Sequence, residues 1–175
     1  MVRQVIPEWK ELSQDQSFNE KVQVLELDNF DDLETKLENH QISLSDHSVF
    51  LCALGTRVKV GEELFVKVDY QYPLDFARFA VKSGAQYYGI ISSIGANANS
   101  PFLYMRTKGR VEQDIKQITM PKMAIYKPGL LCNRDNDFRL GEWLLKGVPF
   151  VKKIESKDLA TAILNHAAQS LSDDS

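Results

Sequence analysis

Short apolar segments alternate along the chain with segments whose apolar residues recur every three or four positions. The first pattern is typical of strands buried on both faces, and the second of helices with one face against a core. The predicted strands are 2–6, 21–27, 49–54, 87–92 and 123–126. The predicted helices are 31–40, with Asp28 or Asn29 as N-cap, 62–83, interrupted near Pro73, 101–118, and 157–171, capped by Ser156.

Strands separated by helices form parallel βαβ units with right-handed crossovers. We therefore expect an α/β fold, in which residues 1–175 form one Rossmann-like domain with a doubly wound parallel sheet and helices on both faces. Ligands of such sheets bind beyond the carboxyl ends of the strands. The ends of the predicted strands carry small, polar or turn residues, in the segments 54–56, 91–93 and 126–129.

Charge and composition argue against nucleic-acid binding, a membrane span and a metal site. The net charge of -3 and the scattered basic residues give no electrostatic case for nucleic acid. The chain has no apolar run of membrane-spanning length and no apolar core of signal-peptide type at its start, so we expect no membrane span and a cytoplasmic or nuclear location. The two cysteines and three histidines lack metal-ligand spacing, and we expect no metal.

Candidate chemistry lies in the stretch YYGIISSIGANANSPFLYMRTKGRVE, residues 87–112. Tyr104 and Lys108 are four positions apart on a predicted helix and share one face. A lysine ammonium beside a phenol favours the phenolate, and such a tyrosine can exchange a proton with a substrate oxygen while hydride moves. Ser93, at the end of the preceding strand, could hold that oxygen. The alternative is ordinary: the tyrosine packs and the lysine lies at the solvated edge of the helix.

The flanking motifs give this stretch a context. The segments LCALGT, IISSIGA, FLYMRTKGRVE, YKPGLLCNR and LGEWLL, in this order, resemble the atypical short-chain dehydrogenase/reductases that include the HIV Tat-interacting oxidoreductase and its fungal mitochondrial relatives. The resemblance runs from about residue 2 to the last helix and implies NADPH as cofactor. It makes Ser93 the carbonyl-holding residue, Tyr104 the acid/base, and Lys108 the residue that binds the nicotinamide ribose and favours the phenolate. The cofactor-binding positions that it implies besides Lys108 are Gly55, Thr56, Ser92, Pro128 and Gly129.

The sequence departs from this family at both ends. It contains no G-x-G-x-x-G, and its first residues match the family's second strand, so we expect the first strand and helix to be missing and NADPH binding to be weakened. The gap in the sheet would be closed by the chain itself or leave apolar edges open to self-association. Near the other end, the segment between Leu145 and Ser156 is shorter than in the family, and Lys127 stands where the family has arginine.

Three functional hypotheses remain open on the sequence. The chain is an active NAD(P)-dependent oxidoreductase, a non-catalytic regulatory or trafficking protein that acts through protein partners, or a shortened isoform of an active enzyme. The regulatory hypothesis follows from the resemblance, because the Tat-interacting member is described as a regulator of transcription and nuclear import. A mitochondrial association like that of the fungal relatives also stays open. The substrate is not set by the sequence.

Overall fold

The structure, a computed structural model, describes residues 24–40, 44–45, 48–132 and 153–172. The chain divides into two compact units, Met1–His40 and Gln41–Ser175. The helices are α1 Leu33–Asn39, α2 Glu62–Val66, α3 Tyr72–Lys82, α4 Leu103–Ile115 and α5 Ser156–Ser172. The strands are β1 Val49–Cys52, β2 Tyr87–Ile91, β3 Lys122–Tyr126, β4 Leu130–Cys132 and β5 Lys153–Glu155. A 3₁₀ turn, Val58–Val60, precedes α2, and a π-helical segment, Lys67–Gln71, joins α2 to α3.

The described part of the first unit contains α1 and an irregular segment before it. The strand predicted over 21–27 is wrong for 24–27: this stretch has no ladder partner among the described residues, and residues 21–23 lie outside them. The N-cap prediction is also wrong. Asp32, with φ 51° and ψ 40°, precedes the helix, while the Asn29 side chain accepts from the Asp31 N–H at 3.0 Å and from Lys36 Nζ at 2.6 Å.

The second unit contains a parallel sheet in the order β1-β2-β3. Phe50 aligns with Tyr88, and Tyr88 aligns with Met123. The crossover from β1 to β2 contains α2 and α3, and the crossover from β2 to β3 contains α4. These are the βαβ units expected from the apolar runs, and the prediction of a Rossmann-like α/β fold is confirmed.

The two tyrosines that begin β2 show that helices cover both faces of the sheet. Tyr88 packs against Phe76 of α3, with ring centroids 6.1 Å apart, and its hydroxyl donates to the Pro73 carbonyl oxygen at 2.9 Å. Tyr87 instead lies 3.0 Å from His166 Nδ1 on α5 and 2.5 Å, hydroxyl to hydroxyl, from Tyr126. Because successive strand residues point to opposite faces, α3 and α5 lie on opposite sides of the sheet.

The interruption predicted near Pro73 is present in the crossover after β1. It is the π-helical segment Lys67–Gln71, and Pro73 itself lies in the first turn of α3. Proline has no N–H to donate to the carbonyl oxygen of Asp69, four residues earlier, and the wider turn accommodates that missing bond. The segment has a functional consequence, because Asp69 lies in it.

The other predicted elements are present with shifted ends. Strands β1, β2 and β3 and helices α4 and α5 correspond to the predictions over 49–54, 87–92, 123–126, 101–118 and 157–171. The short parallel pair β4-β5 was not predicted, because three residues carry too little pattern to read. The strand predicted over 2–6 and the Leu-Gly-Glu-Trp-Leu motif lie outside the described residues. Within the described residues, no helix is long and apolar enough to cross a membrane.

Alkaline pH is expected to destabilise the sheet through its buried phenols. Burial raises the pKa of both Tyr87 and Tyr88 above the usual value of about 10. The unfolded chain therefore releases these protons at a lower pH than the folded chain does, so stability falls as the pH rises above about 10 and continues to fall up to the folded pKa. Urea unfolding midpoints measured between about pH 8 and about pH 11 test this. The unfolding midpoint of Tyr88→Phe should fall less steeply with pH than that of the wild type. An identical slope would contradict the assignment of this pH dependence to Tyr88.

Candidate active site

The candidate residues follow the carboxyl ends of the three parallel strands. Gly55 and Thr56 come after β1, Ser92 and Ser93 after β2, and Pro128 and Gly129 after β3. Since the carboxyl ends of parallel strands meet at one edge of the sheet, these segments share the edge where ligands of such sheets bind. This carboxyl-terminal edge of the sheet is the one that the sequence predicted as the ligand site. The roles of the individual residues there stay predictions.

Helix α4 carries Tyr104, Lys108 and Glu112, each four residues after the last. Residues at this spacing lie along one stripe of a helix. Tyr104 is half-buried, and its ring centroid lies 6.0 Å from that of Phe65 on α2. Lys108 and Glu112 are buried, with 4% and 5% of their surface exposed. Two charged side chains at such depth need charged or hydrogen-bonding partners, and each has one outside α4.

Lys108 is paired with Asp69, which no sequence motif singled out. Lys108 Nζ lies 2.8 Å from Asp69 Oδ1, and Asp69 is wholly buried. That oxygen has no hydrogen-bond partner among the described residues, so its negative charge is compensated by the facing ammonium. The other oxygen, Asp69 Oδ2, accepts the backbone N–H of Thr56 at 2.7 Å. One carboxylate therefore contacts both the lysine of the Tyr-x-x-x-Lys motif and the loop after β1.

Glu112 ties together the segments after β2 and β3. Ser92 Oγ donates to Glu112 Oε1 at 2.5 Å, and Lys127 Nζ lies 2.6 Å from Glu112 Oε2. The backbone N–H of Ser92 also donates to the Tyr126 carbonyl oxygen at 2.8 Å. Ser92 thus has its hydroxyl bound within the protein. Lys127 contacts Glu112 from a more exposed position, directly before the Pro128-Gly129 turn.

Ser93 is the serine whose hydroxyl contacts a surface loop. Its Oγ donates to the Ile94 carbonyl oxygen at 3.1 Å, a local bond that a rotation of the side chain can exchange for another acceptor or donor. In the described part of the chain, no hydrogen bond joins Ser93, Tyr104 and Lys108 to one another. The structure therefore brings the segments of the predicted set to one edge, and no hydrogen bond between the three side chains is seen among the described residues.

The loop from Ser93 to α4 is packed tightly on that helix. The Asn97 N–H donates to the Met105 carbonyl oxygen at 3.0 Å, and Arg106 Nη1 donates to the carbonyl oxygens of Ser100 and Pro101 at 3.1 and 2.8 Å. Gly109 permits this approach: a Cβ built there would lie 2.1 Å from the backbone nitrogen of Ala98. This packing fixes the loop that begins at Ser93 against the helix that carries Tyr104.

The two buried carboxylates, Asp69 and Glu112, were missed by sequence reasoning for different reasons. Glu112 extends the Tyr-x-x-x-Lys spacing by one more turn, and that spacing was a usable signal. Asp69 lies in the stretch FVKVDYQYPL, where nothing local distinguishes it from a surface residue of an amphipathic helix. Among the described residues, no group of three or more histidine, cysteine, aspartate or glutamate side chains could hold a metal ion.

Comparison with known proteins gives several relatives, although no family model matches the chain. Protein HTATIP2 of Rattus norvegicus is 38% identical over 113 residues, which are 63% of this chain and 46% of the relative. The mitochondrial protein FMP52 of Candida albicans is 33% identical over 138 residues, or 70% of this chain and 59% of the relative. FMP52 of Meyerozyma guilliermondii is 40% identical over 88 residues, or 49% and 38%.

The matched parts therefore span about half the length of these curated relatives. Two differently named groups of proteins, one mammalian and one fungal, match the same chain at 33–40% identity. These are the groups that the sequence motifs resemble, and the resemblance is confirmed. Over the matched residues, the chain is therefore a homologue of HTATIP2 and of the fungal FMP52 proteins, the groups to which its motifs pointed.

Proposed function

We propose that this chain carries the catalytic edge of an NADP(H)-dependent oxidoreductase that interconverts a carbonyl compound and an alcohol. The observation that supports it most is Lys108, a lysine almost wholly buried four residues after Tyr104 and ion-paired beside the loop that follows β1. A lysine needed only for solubility would extend into water. Burying it costs free energy that a buried ion pair does not reliably recover, which favours a functional reason for the charge.

The residues present fit one end of the cofactor. Lys108, whose ammonium has three N–H donors, and the Thr56 loop suit a ribose and a neighbouring phosphodiester. The sequence offers no glycine-rich turn for the pyrophosphate. The hydrogen bonds of such a turn to phosphate contribute about 1.5–3 kcal/mol each, so lacking two of them weakens binding at least about 100-fold. We therefore expect NADPH to bind this chain weakly.

The proposed chemistry assigns a task to each side chain. A bound NADPH would supply the hydride to the carbonyl carbon. Tyr104 donates its phenolic proton to the carbonyl oxygen as the alcohol forms, and Lys108 stabilises the phenolate that remains. Ser93 donates a hydrogen bond to the same oxygen once its hydroxyl has left the Ile94 carbonyl. In the reverse direction, the tyrosine phenolate accepts the alcohol's proton.

A second candidate function is regulation or trafficking by protein contact, the hypothesis that the sequence resemblance also left open. In that case the Ser-Tyr-Lys set is retained as packing, and the partner is another protein or a second copy of the chain at an open sheet edge. Because the fungal relatives are named as mitochondrial proteins, we include mitochondrial association in either proposal. A cytoplasmic or nuclear location remains the alternative that the sequence suggested.

Tyr104→Phe is the variant that tests the catalytic proposal. We expect it to lower kcat for NADPH-dependent reduction of a panel of aldehydes and ketones by about 10²–10⁴-fold, because the proton donor is lost. The Kd for NADPH, measured by titration calorimetry, should stay within about threefold, because the cofactor-binding groups are unchanged. The assay uses the 175-residue chain.

Tyr70→Phe serves as the matched control. It also removes a phenol from the helices around α4, one that donates to Asp114 Oδ2 at 2.5 Å, but it is not part of the proposed site. We expect kcat to be unchanged in this control. Saturable NADPH binding together with full activity of Tyr104→Phe would remove Tyr104 from its role. A wild-type chain that binds neither NADPH nor NADH at millimolar concentration would favour protein contact instead.

A further inference from the structure

We propose that Asp69 is a positioning residue of the cofactor site, which holds Lys108 and the Thr56 loop in register with one carboxylate. The inference rests on the proposed function for its ligand, but the linkage itself is a property of the ligand-free chain. Three observations carry it: the depth of the ion pair, the helical irregularity in which Asp69 lies, and the division of its two oxygens between separate segments.

The depth of the pair shows that stability is a poor explanation for it. Asp69 is 0% exposed and Lys108 is 4% exposed. Removing two charges from water costs so much that well-packed apolar residues of similar size are often as stabilising as the pair, or more so. An apolar side chain could occupy this fully buried position. A buried pair retained there is better explained by the geometry that it imposes.

The π-helical segment places Asp69 at this depth. Phe65 of α2 lies next to Tyr104, and Asp69, four residues later, pairs with Lys108, four residues after Tyr104. Two contacts with the same spacing of four residues thus connect the segment from α2 to the π-helix with α4, one to each member of the Tyr-x-x-x-Lys motif. Single-turn π segments are rare, cost hydrogen-bond geometry and occur often at functional sites. Here the widened turn is the element that contributes the carboxylate.

The two oxygens of Asp69 divide their contacts between a side chain and a backbone loop. Oδ1 faces the Lys108 ammonium at 2.8 Å, and Oδ2 accepts the Thr56 N–H at 2.7 Å. An ammonium carries three N–H donors, so a lysine that faces Asp69 as an ion pair can still donate to ligand hydroxyls. A ligand that lies along the Thr56 loop and reaches Lys108 therefore meets two groups whose separation is set by one carboxylate. We therefore expect a change in the position of either group to shift the other.

The first experiment needs no ligand. Amide hydrogen exchange of Thr56 is compared with that of Ser92, whose N–H is bonded to the Tyr126 carbonyl oxygen on the other side of the edge. Lys108→Met removes the partner of Asp69 but has no bond to Thr56. We expect it to speed Thr56 exchange at least about tenfold relative to Ser92, because the carboxylate is no longer held. Equal acceleration at both amides would mean general destabilisation and would overturn the linkage.

The second experiment measures the Kd for NADPH in Asp69→Asn, Lys108→Met and the double variant. We expect each single change to weaken binding about tenfold or more, and the double variant to bind no more weakly than the weaker single variant, because both changes disable one unit. The double variant also removes the uncompensated charge and keeps the test open if a single variant folds poorly. Asp75→Asn, a similar change at a more exposed carboxylate of α3, is the control and should leave the Kd within about twofold.

The outcomes separate the two proposals. Multiplying effects in the double variant, or a wild-type Kd in Asp69→Asn, would overturn the positioning role while leaving the oxidoreductase proposal intact. A wild-type chain without saturable NADPH binding would overturn the oxidoreductase proposal, and the Thr56 exchange experiment would then decide alone whether Asp69 links the loop to Lys108.

Discussion

Replacing Asp69 by alanine is expected to lower the free energy of unfolding by about 3–5 kcal/mol, the largest effect that we predict for a single substitution in this chain. The change leaves Lys108 buried, with its ammonium facing the place from which the carboxylate has been removed. It also leaves the Thr56 N–H without its acceptor. Urea unfolding followed by circular dichroism measures the loss.

The matched control removes both charges together. Asp69→Leu combined with Lys108→Met replaces the buried pair by apolar side chains of similar length, and we expect it to recover most of the lost stability, because no uncompensated charge remains. If the double variant were as unstable as Asp69→Ala, the cost would come from packing or from the Thr56 bond rather than from the unpaired lysine. If Asp69→Ala were as stable as the wild type, the pair would not be buried as described.

Replacing Gly109 by alanine is expected to destabilise the chain by at least about 2 kcal/mol. An ordinary glycine within a helix behaves in the opposite way, since alanine there gains about 1 kcal/mol. Here the added Cβ would lie 2.1 Å from Ala98 N and 2.2 Å from Asn97 C, which are backbone atoms that cannot rotate aside. The loop after Ser93 must move, so we also expect the loop from Ser93 to α4 to lose its amide protection.

Gly89→Ala is the comparison that isolates the role of the backbone contact. Its added Cβ would meet the Leu51 Cδ2 atom at 2.8 Å and the Tyr126 ring at 3.1 Å, both of which belong to side chains. The Leu51 end can change rotamer, so we expect a smaller loss than for Gly109→Ala. Unfolding midpoints of the two variants rank them. A stabilised Gly109→Ala would show that the loop does not lie against α4.

The elements that could be predicted are those whose pattern is long enough to be local. The apolar runs VFLC, YYGII and MAIY lie in the parallel sheet, and its central strand β2 is buried on both faces, as a continuous apolar run predicts. The stretch 24–27 has similar residues but forms no strand there, since a strand is defined by its partner and none pairs with it among the described residues. The three-residue strands β4 and β5 are likewise recognised only through their pairing.

The sequence by itself determined that Tyr104 and Lys108 lie along one stripe of α4, because the period of the α-helix sets which residues share a face. It also determined which strand ends meet at the ligand edge. Only the tertiary structure decided what the buried charges contact. Asp69 reaches Lys108 and the Thr56 loop through a π-helical segment, and Glu112 reaches Ser92 and Lys127. Partners distant in the sequence are selected by the cost of burying an unpaired charge, which no local pattern records.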